Sequence, residues 1–509
     1  MFKWILISSL ALNAAHAADW LTFAGDPQRT GWAKGENQLS LENVGKLKLQ
    51  WSMQLDNQAK ELNALTVPVV AENVITATGF KDIVLIAGAS DTLFAIDADT
   101  AKILWQRKFE IAVTPKNKPH WLCPNALNTT PVVDKRNKSI YTLTSDGKLH
   151  TLNFINGEDQ KPPVEFVPPF AKTWSLNLVK DVLYTTTSQG CGGVRSAVYT
   201  MNVKDPSRPV SKFVASPTGG AGIWGRAGGA VSATTGLIYA ETGDGPYEVA
   251  AGKYSDTVLG VSADGKLVDY YTPANRAWIT KKDLDMGNIS PVVFPFDKWE
   301  LVAASGKEGV IYLLDAKSLG GTDHKTPLFR SPLYLNEEVD FAGHGFWGAL
   351  STWQDAQGTR WLYAPAWGAP HSASPKFPVT YDDAPAGSIL AFKLGVKDGK
   401  PELIPAWRSR NMSVPEPVVI ANGVVFALSN GENVKQAKSS GDIYSSEERA
   451  KVPSGNATLY ALDAATGKEL WSSGATIPEF THFSGLAISA GRIYVVTYSS
   501  KVYAFGLPE

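Results

Sequence analysis

The first residues that could take part in chemistry lie in a glycine-rich stretch, SKFVASPTGGAGIWGRAGGAVSATTGLIYAETGDGPYE (residues 211–248). Glycines surround Trp224, and a second glycine turn carries Asp244. A planar indole can stack on a flat ring, and a carboxylate is a good ligand for a hard cation such as Ca²⁺. The stretch therefore forms either ordinary turns of an all-β fold or one wall of a cofactor site.

Two later segments place further acid and base groups next to glycine. ITKKDLDMGNISPVVF (residues 279–294) contains Asp283 and Asp285, and AASGKEGVIYLLD (residues 303–315) contains Lys307. An aspartate held beside a cation stays ionised and could accept a proton, and an ammonium group is a mobile hydrogen-bond donor. The alternatives are a solvated loop acid beside two lysines and a surface lysine that precedes a hairpin.

Three histidines and two cysteines complete the candidate residues. His344, His371 and His482 each lie in a glycine-rich loop. They could hold a transition metal if the fold gathers them, and the alternative is three isolated loop histidines. Cys123 and Cys191 are the only cysteines. In an oxidising compartment such a pair is a disulfide candidate, the alternative being two buried free thiols.

Composition and the N-terminus restrict the class of protein. The 509 residues carry a formal net charge of −1, so no long-range field favours nucleic acid or anionic lipid. Residues 1–17 combine Lys3, an apolar run and the small-residue sequence AHA, which predicts a secretory signal peptide and an exported, periplasmic or secreted protein. The alternative is an uncleaved anchor. No later segment has about 18 consecutive apolar residues, so no membrane span is expected.

A repeated motif extends along the chain and predicts the elements that must position these residues. LFAIDADTAKILW (residues 93–105) and LYALDAATGKELW (residues 459–471) share one pattern without a gap. Six degenerate copies begin at Gly147, Ser196, Thr257, Gly309, Gly387 and Lys501. Such repeats are typical of propeller blades, so we predict an all-β, eight-bladed propeller that forms a single domain over residues 18–509. The last copy lacks its tail, and GKLKLQWSM (residues 45–53) is expected to complete that blade.

These repeats resemble the pyrroloquinoline quinone (PQQ) repeat. In addition, WLTFAGDPQRTGWAKGENQLSLENVGKLKLQW (residues 20–51) resembles the N-terminal segment of PQQ-dependent alcohol dehydrogenases. The resemblance implies PQQ on the propeller axis, chelating Ca²⁺, above a tryptophan floor and beside a carboxylate base. It assigns these roles to particular residues of this chain: Trp224 as the floor, Asp244 and Asp285 as metal ligands, Asp285 also as the catalytic base with Asp283 as its fallback, and Lys307 and Trp347 as cofactor contacts.

The chain departs from the family pattern at three positions. Cys191 stands where the resemblance predicts a glutamate ligand for Ca²⁺, and sulfur is a poor calcium ligand. Pro124 replaces the partner of Cys123 in a pair of adjacent cysteines, and Thr129 stands where an arginine is expected. Both cysteines thus fall on positions that face the family's cofactor. The resemblance therefore implies a Cys123–Cys191 disulfide across the mouth of the axial pocket.

The leading interpretation is an exported PQQ-dependent oxidoreductase that uses Ca²⁺ and acts on a small alcohol-type substrate. Its electrons would leave to a separate carrier, because the chain has no C-x-x-C-H haem-attachment motif. The alternative is a non-catalytic propeller that acts as a binding or assembly scaffold. That alternative predicts a pocket blocked by the disulfide, with Asp244 and Asp285 too far apart to share an ion. A third interpretation places a metal or another redox group on the histidines.

Overall fold

The computed structural model of the protein describes residues 18–335, 344–434, 438–440, 442, 444–452 and 454–508. The predicted signal peptide, residues 1–17, lies outside the described residues. Within the described part of the chain, no helix is long and apolar enough to cross a membrane.

The prediction of an eight-bladed all-β propeller is confirmed. Each blade contains four antiparallel strands, and in blades 1 to 7 these four pair in chain order across the sheet. Blade 1 consists of Val69–Thr76, Gly79–Gly88, Thr92–Asp97 and Ile103–Lys108. Blade 2 consists of Val132–Asp134, Ser139–Leu143, Lys148–Asn153 and Asp159–Glu165. Blade 3 consists of Asn177–Val179, Val182–Ser188, Ala197–Asn202 and Ser211–Val214, with Lys172–Thr173 paired to its second strand.

The next three blades follow the same strand order. Blade 4 consists of Ala230–Val231, Ile238–Glu241, Val258–Val261 and Leu267–Tyr271. Blade 5 consists of Val292–Phe296, Trp299–Ser305, Ile311–Asp315 and Phe329–Arg330. Blade 6 consists of Ser351–Gln354, Arg360–Trp367, Gly387–Lys397 and Lys400–Arg408, with Gly345–Phe346 and Val379–Thr380 added to its sheet.

The last blade joins the two ends of the chain. Blade 7 consists of Val419–Ala421, Val424–Ser429, Thr458–Asp463 and Glu469–Ser472. Blade 8 consists of Ala487–Ser489, Arg492–Val496, Lys501–Gly506 and, from the N-terminal part of the chain, Lys48–Gln54. The predicted closure is thus present, because Lys48–Gln54 pairs antiparallel with Lys501–Gly506. One blade is therefore built from both ends of the chain, which holds the ring of blades closed.

The repeat motif has a direct structural meaning. All eight copies contain the third strand of a blade, and the tryptophan that ends a complete copy lies on the outermost strand. The indole N–H of Trp105 donates to the carbonyl of Phe154 in the next blade at 2.9 Å. Trp407 donates in the same way to Ala464 at 3.0 Å. A Cβ on Gly157 would lie 2.4 Å from the Trp105 ring, so the motif's turn glycine makes room for the neighbouring blade's tryptophan.

Burial of apolar side chains between neighbouring blades forms the core. Buried clusters join blades 1 and 2, 2 and 3, 3 and 4, 4 and 5, 5 and 6, and 6 and 7, and the largest cluster joins blades 7, 8 and 1. The inner strands are therefore apolar on both faces, which is why the sequence contains short β-branched runs rather than strict alternation.

The remaining elements are short. The helices are Arg276–Lys281 and Ser446–Lys451, and single 3₁₀ turns occupy Val44–Lys46, Cys191–Gly193, Val249–Ala251 and Gly321–Asp323. A small hairpin pairs Tyr247–Glu248 with Lys253–Tyr254, and Ile289–Ser290 pairs in parallel with Gly348–Ala349. Loops between the second and third strands, and loops that enter the next blade, contribute the site described below.

Candidate functional site: an axial cavity with three aspartates

Loops from several blades enclose a cavity of about 500 Å³, a volume within the range typical of small-molecule sites. Its aromatic lining comprises Trp121, Trp174, Trp224, Trp347, Trp367 and Phe483. Its charged or titratable lining comprises Lys172, Arg195, Asp244, Asp283, Asp285, Lys307 and His482. The residues to which the family resemblance assigned catalysis, cofactor contact or metal binding thus all line one cavity.

Three aspartates converge in this cavity. Asp244 follows the second strand of blade 4, and Asp283 and Asp285 lie in the loop that enters blade 5. One carboxylate oxygen from each of the three lies within 4.8 Å of the others. Asp244 and Asp285 are therefore close enough to share one ion, contrary to the expectation from a scaffold that has lost the site. Asp283 belongs to the same group.

Asp285 is the most tightly held member of the group. Its side chain is buried, and its Oδ1 accepts a hydrogen bond from the backbone N–H of Asp244 at 2.9 Å. Its Oδ2 forms an ion pair with Nζ of Lys307. The same ammonium donates to the backbone carbonyl of Asp283 at 3.2 Å and lies 3.6 Å from its carboxylate. Each carboxylate oxygen of Asp285 retains a second lone pair for another ligand.

Accumulated negative charge shifts the acidity of this group. Burial, followed by the negative charge of Asp285, raises the pKa of Asp283 to about 7. The same two causes raise the pKa of Asp244. Behind the cavity wall, burial and then the charge of Asp285 raise the pKa of Asp256 to about 7. Three carboxylates beside one ammonium leave excess negative charge, which a bound cation would neutralise.

The six-membered ring of Trp224 packs closely against two glycines. Ideal Cβ atoms on Gly222 and Gly243 would lie 2.5 Å and 2.1 Å from its ring, so only glycine permits this packing. The backbone N–H of Trp224 donates to the carbonyl of Gly287 at 3.1 Å, which connects it to the loop of the aspartates. The two glycines thus fix the position of the indole, and the half-buried ring lines the cavity.

Trp347 lies on another side of the cavity, in contact with a second tryptophan. Its ring stacks on Trp367 at a centroid distance of 4.6 Å and an interplanar angle of 10°. Nζ of Lys307 lies 5.5 Å from the Trp347 ring centroid, within range of a cation–π interaction. The indole N–H of Trp347 donates to the carbonyl of His344 at 2.9 Å, which fixes the orientation of the ring.

Cys123 and Cys191 form a disulfide, as predicted. The two half-cystines line a neighbouring cavity of about 400 Å³, whereas the residues beside them, Leu122 and Gly190, line the axial cavity. The disulfide therefore borders the second cavity, and neither of its cysteines lines the axial cavity. The resemblance had implied a disulfide across the mouth of the axial pocket.

The three histidines do not form one site. Among the described residues, the only group of three or more potential ligands within reach of a single ion is the aspartate group. His482 lines the axial cavity, where its Nδ1 lies 2.7 Å from Glu432 Oε2. His371 lines a separate pocket, and its Nδ1 accepts a hydrogen bond from the backbone N–H of Ala373 at 3.0 Å. Neither His344 nor His371 lines the axial cavity.

The sequence interpretation missed three cationic residues of the site. Lys172 and Arg195 line the cavity on the side of blade 3. Arg226, in the sequence IWGRAGG, is fully buried beneath it, ion-paired with Glu416 and 3.7 Å from the Phe483 ring centroid. The sequence could have indicated Arg226, because it lies two residues after Trp224 in a glycine-rich loop, and such loops commonly face a propeller's axial channel.

Replacing Gly243 with alanine is expected to displace the Trp224 ring. A Cβ at 2.1 Å from Cη2 cannot be accommodated without movement of the indole, and overpacking of this kind costs about 1–3 kcal/mol. Thermal unfolding and tryptophan fluorescence would measure the loss. Gly45→Ala is the control, since its Cβ would meet no atom closer than 3.6 Å. Equal stability of both variants would contradict the close packing of Trp224.

Family models match two parts of the chain. The model described as the β-propeller domain of glucose/ethanol/alcohol dehydrogenases matches residues 20–189. A second model, described as outer membrane protein assembly factor BamB, matches residues 406–506. By sequence, no curated protein matches the chain.

Solved structures resemble the whole propeller. The quinohemoprotein alcohol dehydrogenase from Comamonas testosteroni has a TM-score of 0.61 at 16% identity, covering 98% of this chain and 82% of its own. The corresponding enzyme ADHIIG from Pseudomonas putida HK5 has a TM-score of 0.63 at 14% identity, covering 96% and 80%. A europium-containing methanol dehydrogenase has a TM-score of 0.61 at 14% identity, covering 96% and 98%.

At these identities the structural likeness establishes the fold, and the family models add the repeat type. The prediction of a PQQ-repeat β-propeller is confirmed by these matches. The fold of the propeller is similar to that of the quinoprotein dehydrogenases among its structural neighbours.

Proposed function

We propose that this protein is a PQQ-dependent oxidoreductase that oxidises a small alcohol-type substrate. One observation carries the proposal: the axial cavity brings together three aspartates, a buried lysine and a tryptophan packed closely against two glycines. A scaffold propeller has no need to concentrate like charges and a precisely packed indole in an accessible cavity. The alcohol dehydrogenase match over residues 20–189 supports the same assignment.

The residues present fit the proposed quinone and metal ion. The cavity of about 500 Å³ has room for a ligand of drug-like size, and the face of Trp224 suits a planar ring. Three carboxylates supply the hard oxygen ligands that Ca²⁺ prefers. Together with the ammonium of Lys307 they leave two uncompensated negative charges when ionised, which a divalent ion would balance. Cys191 is disulfide-bonded and supplies no ligand, so Asp283 joins the predicted pair of Asp244 and Asp285 in the proposed site.

Each residue of the group then has a separate role. Asp244 and Asp283 would bind the cation, and Asp285 would both bind it and accept the proton of the substrate hydroxyl. Lys307 holds Asp285 in place and presents a donor toward the cavity. The quinone, when bound, would supply the acceptor for the hydride that leaves the alcohol carbon. The electrons would pass to a separate carrier, and we propose an exported location on the basis of residues 1–17.

Titration with PQQ tests the proposal. Quinone absorbance and thermal stability would be followed with and without Ca²⁺, and with Eu³⁺ in place of Ca²⁺, since one structural neighbour is a europium-containing enzyme. Tight binding that requires the cation and is lost in Asp244→Ala would support the enzyme. An alcohol screen with an artificial electron acceptor would then identify the substrate.

The second candidate function is a binding or assembly scaffold. The observation that favours it is the match of residues 406–506 to the model described as an assembly factor. It predicts no PQQ binding at micromolar quinone, in the oxidised and the reduced protein alike. That result would overturn the oxidoreductase.

Cation affinity is expected to rise with pH between about 6 and 8. A pKa of about 7 keeps a proton on Asp283 in more acidic solution, and a cation binds only the carboxylate form. Acidification therefore makes the cation compete with the proton, so affinity falls as the pH decreases. Calorimetric titration with Ca²⁺ across this range would measure the slope. Asp283→Asn should bind more weakly and with a flatter slope, and an unchanged slope would contradict this assignment.

A further inference from the structure

The charges that line the axial cavity come from different blades according to their sign, with Lys307 as the exception. The three aspartates lie on the loops of blades 4 and 5, together with Lys307. Lys172 and Arg195 lie on blade 3, and no acidic residue of blade 3 lines the cavity. A molecule that fills the cavity therefore meets carboxylates from blades 4 and 5 and two cations from blade 3.

The two cations of blade 3 differ in exposure. Lys172 is buried, with its Nζ 4.8 Å from the ring centroid of Trp174. Arg195 is exposed, and among the described residues its guanidinium forms no ion pair or hydrogen bond. A buried ammonium group is suited to a cofactor that remains bound. An exposed guanidinium is suited to a substrate that enters and leaves the cavity. Arg195 is therefore the better candidate for contact with an exchanging substrate.

Arg195 is held in place by its surroundings. An ideal Cβ on Gly219 would lie 2.9 Å from Nη1 of Arg195, so the guanidinium packs directly on this glycine. The backbone carbonyl of Arg195 accepts a hydrogen bond from Oγ1 of Thr187 at 3.1 Å. Four residues earlier, Cys191 anchors the same loop to Cys123. The disulfide thus restrains the loop that presents Arg195 to the cavity.

We propose that Arg195 binds a carboxylate on the ligand of this cavity, and that the ligand concerned is the substrate. A guanidinium forms two parallel hydrogen bonds with a carboxylate, which gives both orientation and selectivity. The substrate is then an alcohol that carries a carboxylate, with its hydroxyl toward Asp285 and its anionic group toward Arg195. The inference rests on the proposed oxidoreductase and adds the class of its substrate.

The test compares two alcohols that differ only in charge. Binding of 3-(hydroxymethyl)benzoate and of its neutral amide would be measured by calorimetry in the protein loaded with PQQ and Ca²⁺, and again in the protein without quinone. The variants are Arg195→Met and Arg195→Lys. Arg208→Met is the matched control, because Arg208 lies on an exposed turn of blade 3 and is paired with Asp205. Quinone affinity would be measured for all four proteins.

The expected result is selective. Arg195→Met should weaken benzoate binding about 10- to 100-fold, as expected for loss of a charged hydrogen bond, and leave the amide and PQQ unchanged. Arg195→Lys should restore part of the benzoate affinity, and Arg208→Met should change nothing. If Arg195→Met weakens PQQ instead, the arginine holds the quinone's own acid groups and the substrate assignment is overturned.

The remaining outcomes are also decisive. Suppose that PQQ binds and that Arg195→Met changes the affinity of neither alcohol relative to the wild type. The inference about Arg195 is then wrong, and the proposed function stands. If PQQ does not bind at all, the proposed function fails. The quinone-free measurement then decides whether Arg195 selects an anion, because only benzoate should respond to its replacement.

Discussion

Replacing Asp285 with asparagine is expected to lower kcat by about 10²- to 10⁴-fold, the usual contribution of a positioned base. Asp285 is buried, accepts a hydrogen bond from the backbone N–H of Asp244 at 2.9 Å and forms an ion pair with Lys307. An amide keeps the size of the side chain but removes its charge and its ability to accept a proton. It also removes one ligand from the proposed cation site, so Ca²⁺ affinity should fall in the same variant.

Two further variants make this result specific. Asp264→Asn changes an exposed aspartate on a turn of blade 4 and should leave kcat, Ca²⁺ affinity and thermal stability unaltered. Asp283→Asn should weaken Ca²⁺ binding while retaining more of kcat than Asp285→Asn. The opposite order, with full loss in Asp283→Asn and substantial turnover in Asp285→Asn, would transfer the role of base to Asp283.

Removing the disulfide is expected to produce the largest loss of stability. Cys123 and Cys191 are separated by 68 positions, and the chain-entropy model gives about 4 kcal/mol for closing a loop of that length. Cys123→Ser, Cys191→Ser and the double variant should therefore each lower the free energy of unfolding by a similar amount. Urea titration under reducing and oxidising conditions would measure the free energy of unfolding of each protein.

The pattern among these variants tests the cause. Because the two cysteines share one bond, the double variant should lose no more than either single variant. The wild type should fall to the same stability on reduction. Additive losses, or a wild type that is insensitive to reductant, would show that the serine substitutions act through local packing instead.

The cysteine variants should also weaken ligand binding in the axial cavity, since the loop carrying Gly190 and Arg195 would lose its anchor.

The fold could be predicted in some detail from the sequence because each repeat encodes its own local contacts. The motif contains a strand, a turn and a tryptophan, and these three features define one blade and its contact with the next. Even the closure was predictable, since KVYAF lacked a tail that residues 45–53 could supply. Burial between blades then follows from apolar strands that have no exposed face.

The candidate site was only partly predictable. Trp224, Asp244, Asp285, Lys307 and Trp347 all line the cavity, as their glycine-rich loops and the family resemblance suggested. Asp283 was only a fallback, and its convergence with the other two aspartates appeared only in three dimensions. Arg195 and Lys172 were missed because surface-type cations in loops are common, and nothing in their neighbours distinguishes them.

The sequence by itself therefore determined the repeat, the number of blades, their closure and the identities of most groups that could do chemistry. These features depend on contacts within one blade or between adjacent blades, so a local pattern is sufficient to encode them. The tertiary structure alone decided that the disulfide borders a second cavity, that the histidines stay apart, and that three aspartates and three cations line one cavity. Those relations join loops that lie outside the repeat motif. Their distances depend on how the blades pack around the axis, which no local pattern of residues records.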